Sequence, residues 1–354
     1  MLQVNVQVLG EERSRKSRLG SAPRSLARAL LKLCCCGGAK GRWQPSSEAS
    51  RTELSATLTR SPQGDLVVHD SQLLGEGATS KVFLGSFGAI GEIAAKMVSK
   101  SGLDEEELRW ISDEIAIHER LEHRNIVRLH AWFDMAERCT LVLQLCRGGS
   151  LVDSMVDAAE EGVPLPESVV RDAFVQLLDA LNFCASQGVA HRDVKLDNVC
   201  WVDSERTWLV LTDFGHASTT DQHLTYAGSA HFAAPEVHMA DTMADIMADT
   251  MADTLSPPGN GGRSYSAAVA DVWSAGVCLY AMLATALPFG GSEETADERR
   301  ALRSKVCAGS PDGPLLRSSG ARDLTRRMLT VDPVARISLA DACAHSWVRS
   351  ATGP

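Results

Sequence analysis

The most chemically useful segment of this chain reads HRDVKLDN over residues 191–198, and an apolar run then leads to DFG, which begins at Asp213. Asp193 supplies a carboxylate base and Lys195 supplies a cation. Asn198 and Asp213 supply oxygen atoms of the kind that bind hard cations. An enzyme catalyses phosphoryl transfer mainly by positioning the reactants and by neutralising charge on the transferred phosphate, and it needs little covalent chemistry of its own. These residue types at this spacing therefore favour phosphoryl transfer.

The segments before and after residues 191–215 must fold into elements that position these side chains. The pattern of apolar and polar residues divides the chain into three regions. Residues 1–65 are rich in Ser, Arg, Gly and Ala without sustained periodicity, which predicts a basic, disordered N-terminal extension. Short apolar runs separated by glycine-bearing turns then predict strands, and a helix is predicted from Glu105 to Leu121. The predicted strands lie at residues 66–68, 81–84, 92–96 and 141–144. After residue 149 the pattern is mainly helical.

Composition excludes some classes of protein. The 354-residue chain carries a net charge of −10, which argues against a general nucleic-acid binder, although residues 1–60 hold eleven Lys and Arg against four Asp and Glu. The ten cysteines form no disulfide or zinc spacing and no secretory signal opens the chain, which favours a cytoplasmic or nuclear compartment. An apolar stretch at residues 266–289 resembles a membrane span, but we interpret it as a buried core helix.

The two segments described first resemble the catalytic loop and the metal-binding loop of eukaryotic protein kinases. The resemblance implies an α+β fold with two lobes, a small antiparallel β-sheet lobe with one helix and a larger, mainly helical lobe. We predict a kinase domain at residues 69–348, with the N-lobe at residues 69–146 and the C-lobe at residues 147–348. The implied substrates are ATP and protein hydroxyl groups, and the implied metal ion is Mg²⁺.

The resemblance assigns a role to each catalytic side chain. Asp193 would accept or orient the proton of the substrate hydroxyl. Lys195 would stabilise the γ-phosphate, and its presence indicates a Ser/Thr kinase rather than a Tyr kinase. Asn198 and Asp213 would hold magnesium.

A glycine-rich segment, LGEGATSKV from Leu74, resembles the kinase loop that covers ATP, although Ser80 stands where the family has a third glycine. A lone glycine-rich loop is weak evidence, but the AAK sequence ending at Lys96 follows at the family's spacing. Lys96 would grip the α- and β-phosphates, and Glu114 would hold Lys96 in place. The implied ATP-binding residues are Leu74, Gly75, Gly77, Val82, Ala94, Lys96, Gln144, Cys146 and Cys200.

A further segment, GSAHFAAPE over residues 228–236, resembles the substrate-docking loop of protein kinases. In that interpretation Ser229 contacts the catalytic aspartate and lysine. Glu236 would pair with Arg336, and Asp271 would anchor the backbone of the catalytic loop.

Arg192, which precedes the catalytic aspartate, indicates control by phosphorylation of the activation loop by an upstream kinase. Thr225 lies where the calmodulin-dependent and AMP-activated kinase group carries its activating threonine, and this group is the nearest resemblance. The rival phosphorylation sites are Thr219, Thr220 and Tyr226, and the alternative that none of these residues is phosphorylated stays open.

Several residues depart from the family pattern. His118 replaces a usually apolar side chain, and an imidazole buried without a partner costs about 1–3 kcal/mol, so we expect a less secure stack between the lobes. Cys200 replaces the leucine beneath the adenine, and Ser150 replaces an acid that reads an upstream arginine in basophilic kinases. His118, Cys200, Ser80 and a repeat insert at residues 238–264 leave open an alternative function, a weakly active pseudokinase that acts as a signalling scaffold.

Two further segments match no part of the kinase pattern. An insert at residues 238–264 contains near-copies of Met-Ala-Asp-Thr, which favour a flexible loop over a docking insert. The N-terminal extension carries a basic amphipathic turn followed by Cys34, Cys35 and Cys36. Palmitoylation with contact to an anionic membrane, a transit peptide and an unmodified tail all stay open for this extension.

Overall fold

The computed structural model describes residues 56–59, 64–77, 79–220, 222–223, 227–240, 264–290, 295–309, 311 and 318–350. Within these ranges the chain forms two compact units. The first contains residues 56–104 and 128–145, and the second contains residues 105–127 and 146–350.

The first unit is a six-stranded antiparallel sheet in the order β1-β2-β3-β4-β6-β5. Its strands are β1 (Ala56–Thr59), β2 (Leu66–Glu76), β3 (Ser80–Phe87), β4 (Gly91–Ser99), β5 (Leu129–Asp134) and β6 (Arg138–Gln144). Alternation sets the faces, because Leu66 and Val68 are buried while Val67 between them is half-buried. The buried face packs Leu66, Val68 and Phe87 with residues of β4 and β6 into one hydrophobic cluster.

The four strands predicted from the sequence are confirmed within β2, β3, β4 and β6. The sequence prediction missed β5. It was also wrong to place the whole of residues 1–65 in an unstructured extension, because residues 56–59 form β1. This strand is ordered by antiparallel pairing with β2, an interaction that its own four residues do not reveal.

The second unit is mainly helical, as predicted after residue 149. Its labelled helices are α1 (Glu105–His118), α2 (Leu151–Glu161), α3 (Glu167–Ser186), α4 (Ala267–Ala284), α5 (Ala296–Ala308), α6 (Ser319–Met328), α7 (Leu339–Ala344) and α8 (Ser346–Arg349). Residues 235–240 are also helical. Short strands form two small sheets, one from β7 (Gly149–Ser150), β8 (Val199–Trp201) and β9 (Leu209–Leu211), the other from β10 (Gln222–His223) and β11 (Tyr265–Ser266).

Local sequence explains where key helices begin and end. Three glutamates occupy the first turn of α1 and His118 its last turn, which suits the helix dipole, and α1 ends three residues before the predicted Leu121. Helix α2 begins with a capping box in which Ser150 and Asp153 satisfy each other's backbone N–H groups.

Helix α4 is the segment that resembled a membrane span. Among the described residues it is the one helix long and apolar enough to cross a bilayer, yet 72% of it is buried inside the protein. Its Trp273 is fully buried and stacks on Phe289 with ring centroids 5.6 Å apart. This burial supports the interpretation of α4 as a core helix.

Residues 105–127, which the sequence prediction assigned to the N-lobe, group with the second unit. Backbone hydrogen bonds explain this, because Val127 N donates to Leu211 O (2.9 Å) and Leu211 N donates to Asn125 O (2.8 Å). These bonds tie the segment after α1 to β9.

Candidate functional site

The loop at residues 191–198 is fixed by a carboxylate from the core helix α4. Asp271 Oδ2 accepts a hydrogen bond from His191 N (2.7 Å), and its Oδ1 accepts one from Arg192 N (2.9 Å). Burial raises the pKa of Asp271, while the nearby His191 and the two backbone N–H groups favour its charged form. The predicted anchoring role of Asp271 is confirmed, and these bonds hold Arg192 in a left-handed conformation with φ of 66°.

Asp193 lies at the centre of a converging set of donors. Its Oδ2 accepts from Lys195 Nζ (2.6 Å) and Asn198 Nδ2 (3.0 Å), and its Oδ1 accepts from the backbone N (3.0 Å) and Oγ (3.2 Å) of Ser229. The Asp193 side chain is buried. Because a serine hydroxyl already donates to this carboxylate, a substrate hydroxyl of the same kind fits the geometry of a general base.

Lys195 places a fixed positive charge beside that base. Burial lowers the pKa of Lys195, but the Asp193 carboxylate, with smaller contributions from Asp197 and Asp213, outweighs burial and raises it. Lys195 Nζ also donates to Ser229 Oγ at 3.0 Å. A protonated lysine in this position can stabilise negative charge that develops on a transferred group.

Asn198 and Asp213, the predicted magnesium ligands, are brought together by the backbone. Thr212 N and Thr212 Oγ1 donate to Asn198 O at 2.8 and 3.1 Å, which places Asp213 next to Asn198. Asn198 Nδ2 donates to the backbone oxygen of Asp193 at 2.9 Å, which fixes the orientation of the side-chain amide. One exposed carboxylate and one amide oxygen suit a cation such as Mg²⁺, which takes one or two protein oxygens beside phosphate and water.

Phe214, directly after Asp213, is fully buried between two histidine rings. The centroid of its ring lies 5.0 Å from that of His118 and 4.9 Å from that of His191. His118 Nε2 donates to Val127 O at 2.8 Å, so the expectation of an imidazole buried without a partner is wrong. The stack is therefore not weakened in the way that the sequence suggested.

The docking segment approaches the catalytic loop closely at Gly228. A Cβ at this residue would lie 2.5 Å from Arg192 O, and its φ is +91°, so only glycine fits without strain. Further along, Arg336 donates to both oxygens of Glu236 at 2.6 and 2.8 Å, which confirms the predicted pair. The Arg336 side chain is fully buried, and its guanidinium lies over the Trp273 ring.

The first unit holds most of the predicted nucleotide-binding residues, and strand pairing sets their spacing. Val82 of β3 lies opposite both Gly75 of β2 and Lys96 of β4. Ala94 lies two residues along β4 from Lys96, and Lys96 is buried. Leu74 is also in β2, and the Gly77 N–H donates to Ser80 O at 2.8 Å, which closes the turn between β2 and β3. Gln144 is the last residue of β6 and lies opposite Ile93.

The remaining nucleotide-binding predictions fall in the second unit. Cys146 and Cys200 are half-buried there, and Glu114 is buried on α1. Lys96 and Glu114 belong to different units, and their pairing stays a prediction. The Thr225 and Tyr226 sites, the Cys34, Cys35 and Cys36 cluster, and residues 241–263 of the insert lie outside the described residues.

Some side chains that support the site were not predicted from the sequence. Thr212 carries the bonds that join the two loops, and its place directly before DFG was the available signal. Tyr265 Oη accepts a hydrogen bond from Arg192 NH2 at 3.3 Å, and Ser274 Oγ donates to Phe232 O at 2.8 Å. No local pattern marks these two contacts, because each joins residues more than 40 positions apart.

Comparison with known families identifies the family to which this fold and this constellation of residues belong. The protein kinase domain family matches residues 68–348, so the chain belongs to the protein kinase family. The family inferred from the sequence motifs is thereby confirmed.

Curated relatives of the chain are serine/threonine kinases by name. CBL-interacting serine/threonine-protein kinase 1 of Arabidopsis thaliana is 34% identical over 287 residues, which cover 78% of this chain and 56% of that protein. Testis-specific serine/threonine-protein kinase 3 of Homo sapiens is 32% identical over 285 residues, covering 78% of this chain and 94% of that protein. The probable serine/threonine-protein kinase MARK-A of Dictyostelium discoideum is 30% identical over 305 residues, which cover 84% of this chain and 25% of that protein. The chain spans a little over half the length of the plant relatives that it matches.

Proposed function

We propose that this protein is a Ser/Thr protein kinase that transfers the γ-phosphate of ATP to serine and threonine hydroxyls of proteins. The observation that carries the proposal is the arrangement around Asp193, where a carboxylate, a protonated lysine and a serine hydroxyl converge within 3.2 Å of one another. The names of the curated relatives agree with this activity.

In the proposed reaction the substrate hydroxyl replaces Ser229 Oγ as a donor to Asp193 Oδ1. Asp193 accepts the hydroxyl proton while the hydroxyl oxygen attacks the γ-phosphorus, and the bond from phosphorus to the bridging oxygen of ADP breaks. Lys195, held protonated by its carboxylate neighbours, stabilises the negative charge on the transferred group.

Asn198 and Asp213 would hold Mg²⁺, which supplies charge neutralisation on the phosphates when it is bound. The bond from Thr212 to Asn198 O keeps these two ligands at adjacent positions. Packing of Phe214 between His118 and His191 orients Asp213 by fixing the residue that follows it.

Ser150 stands where basophilic kinases have an acid that binds an arginine of the protein substrate, and its hydrogen bonds show that it caps a helix instead. Ser150 donates from its backbone N and its Oγ to Asp153 Oδ2, at 2.8 and 2.9 Å, so both residues serve to cap α2. Because Ser150 and Asp153 are bonded to each other, we propose that Asp197 is the acid that attracts a basic residue of the substrate near its phosphorylated hydroxyl.

Regulation and location form the finer part of the proposal. We propose control by an upstream kinase at Thr225, supported by the Arg192 guanidinium, which the catalytic loop holds next to β11 through its bond to Tyr265. Composition supports a cytoplasmic or nuclear location, and membrane contact through Cys34, Cys35 and Cys36 is a further proposal.

The pseudokinase alternative loses part of its support. It was motivated in part by an imidazole without a partner at His118, and this imidazole donates to Val127 O. The substitutions at Ser80 and Cys200 and the repeat insert still motivate it.

Purified protein, labelled ATP and a mixed peptide library test the proposal against an Asp213→Asn variant. We expect the wild type to phosphorylate serine and threonine peptides and the variant to lose transfer while its circular dichroism is unchanged. Equal transfer by two folded proteins would contradict the kinase assignment.

A further inference from the structure

Arg206, in the turn between β8 and β9, has a backbone conformation that few side chains tolerate. Its φ is 59°, and it is one of four non-glycine residues with positive φ among the described residues. Two of the others, Arg192 and Asp213, belong to the catalytic loop and the metal-binding loop. Backbone strain of this kind persists only where surrounding contacts impose it, and it clusters at functional sites. The contacts of Arg206 are therefore informative.

The hairpin that contains Arg206 carries both predicted magnesium ligands at its open end. Asn198 comes directly before β8, and Asp213 comes two residues after β9. Val199 pairs with Leu211, and Thr212 N donates to Asn198 O at 2.8 Å. The register of this hairpin therefore sets the separation of the two ligands, and turn geometry is one of the factors that fix a hairpin register.

The turn at the closed end of the hairpin is organised by one carboxylate. Asp203 Oδ1 accepts from Thr207 N at 2.8 Å, and Asp203 Oδ2 accepts from Thr207 Oγ1 at 3.0 Å and from Trp208 N at 2.9 Å. These hydrogen bonds, first of all the one from the Thr207 N–H group, lower the pKa of Asp203 from its ordinary value. Arg206 N also donates to Asp203 O at 3.2 Å. The turn thereby holds Arg206 in its left-handed conformation.

The side chain of Arg206 joins this turn to two neighbouring elements. Its Nε donates to the backbone oxygen of Gly148, directly before β7, at 3.0 Å. Its NH2 donates to Asp157 Oδ2 on α2 at 2.7 Å. Both side chains of this ion pair are 33% exposed, so the pair contributes little stability, and the backbone strain at Arg206 opposes that contribution. Stability alone therefore does not account for an arginine at this position.

The face of α2 that binds Arg206 also binds strand β8. Ser154 lies three residues before Asp157 and so on the same face of the helix. Ser154 Oγ accepts a hydrogen bond from Trp201 Nε1 at 2.9 Å. Gly148 N donates to Trp201 O at 3.0 Å. The hairpin is thus attached at two levels, through Trp201 within β8 and through Arg206 in the turn.

The other strand of the hairpin is attached to a different helix, α3. Gln176 Oε1 accepts from Leu209 N at 2.9 Å, and Gln176 Nε2 donates to Thr207 O at 3.1 Å. Loss of the Arg206 side chain would release the turn from α2 and leave this attachment to α3 in place. The two strands would then lose part of the common frame that holds them in register.

We propose that Arg206 is a positioning residue for the metal site, which fixes the β8–β9 turn to α2 and Gly148 and thereby holds Asn198 and Asp213 at the separation that magnesium binding requires. The inference rests on the proposed function for the identity of the metal ion. No motif of the family resemblance covers residues 203–208, so Arg206 is not among the residues that the resemblance names.

Equilibrium binding of a fluorescent ATP analogue to the full chain, with Mg²⁺ and with EDTA, tests the inference without phosphoryl transfer. The ratio of the two affinities reports the metal ligands, and the EDTA value reports the other contacts of the nucleotide. We expect Arg206→Gly to lower this ratio by about threefold to tenfold and to leave the EDTA value unchanged. Glycine suits the left-handed backbone, so the variant should fold. An unchanged ratio would overturn the inference.

Variants of the partner Asp157 separate positioning from a general loss of structure. Asp157→Ala removes the acceptor on α2 and should lower the ratio in the same direction as Arg206→Gly. Asp157→Asn keeps an oxygen that can accept from Arg206 and should restore most of it. The control Arg300→Ala removes an exposed ion pair of α5 and should leave the ratio unchanged. An equal fall in Arg300→Ala would overturn the specific role of Arg206.

Hydrogen exchange shows whether the effect reaches the metal ligands. Val202 N donates to Trp208 O at the closed end of the hairpin, and Thr212 N donates to Asn198 O at the open end. We expect both amides to exchange faster in Arg206→Gly than in the wild type. Faster exchange at Val202 alone would overturn the inference, because the disturbance would stop short of Asn198.

The outcomes separate this inference from the kinase assignment. A magnesium-dependent ratio that falls in Arg206→Gly, in a protein that phosphorylates no peptide, would support the inference and contradict the proposed function. Equal ratios for the wild type and Arg206→Gly, in an active kinase, would overturn the inference and leave the kinase assignment standing.

Discussion

The catalytic loop of the second unit and the glycine-rich strand pair of the first unit are held in different ways. Around residues 191–198, side chains from distant parts of the chain, including Asp271 and Ser229, bond to the loop. Around residues 74–82, the described contacts are strand pairing, backbone bonds from Gly77 N to Ser80 O and from Ser99 N to Thr79 O, and an ion pair between Glu76 and Lys81 at the surface.

The difference matches the chemistry assigned to each region. A general base must be held within a few tenths of an ångström of the proton that it accepts, so the loop around Asp193 is fixed by buried, mostly long-range bonds. A segment that covers a nucleotide must admit and release it, and a glycine-containing strand pair without such anchors suits that task.

Arg336→Met has the largest expected effect on stability. It would leave the partly buried carboxylate of Glu236 without its bidentate partner, and we expect a loss of about 3–5 kcal/mol in the free energy of unfolding. Urea denaturation measures this loss. The matched control Arg326→Met removes an exposed pair with Asp323 and should cost less than about 1 kcal/mol. Equal losses for the two variants would contradict the view that buried pairs hold this unit.

Asp271→Asn tests the anchor of the catalytic loop directly. In asparagine an NH2 donor replaces one of the two acceptor oxygens, so either His191 N or Arg192 N loses its acceptor, and about 1–3 kcal/mol of stability should be lost. We expect kcat to fall while the affinity for ATP stays near that of the wild type. The control Asp297→Asn, at an exposed ion pair, should change neither quantity. An unchanged kcat in Asp271→Asn would show that the anchor does not set the loop.

His118→Leu tests the ring stack on Phe214. The sequence predicted an imidazole buried without a partner at this position, but His118 Nε2 donates to Val127 O. We expect lower activity and a loss of about 1 kcal/mol in stability, because the Val127 carbonyl loses its donor. Asparagine or glutamine at this position, if either reaches Val127 O, should restore part of both. Higher activity in His118→Leu would show that the apolar family residue is the better one.

Gly77→Ala has the smallest expected effect and probes the other region. An added Cβ would lie 3.2 Å from Ser80 Oγ, whereas a Cβ at Gly75 would meet nothing within 4 Å. We expect Gly77→Ala to raise KM for ATP modestly and to change the free energy of unfolding by less than about 1 kcal/mol, with Gly75→Ala as the control for stability. A large loss of stability in Gly77→Ala would remove the contrast between the two regions.

The sequence predicted best what is encoded in short, closely spaced motifs. The catalytic loop and the metal-binding loop are such motifs, whereas the pair of Glu236 and Arg336, 100 positions apart, was implied by the resemblance to protein kinases. Strand β1 escaped prediction because its order comes from pairing with β2. The hydrogen bond of His118 could not be predicted either, because its partner is the backbone carbonyl of Val127, whose position depends on the folded chain.

The most direct test of the central claim is single-turnover phosphoryl transfer by Asp193→Asn, measured together with its affinity for ATP. Loss of a positioned general base typically lowers the rate by about 10²–10⁴-fold. We predict a fall of this size in the transfer rate with ATP affinity within a few-fold of the wild type. Transfer at the wild-type rate by a folded Asp193→Asn protein would contradict the assignment of Asp193 as the base.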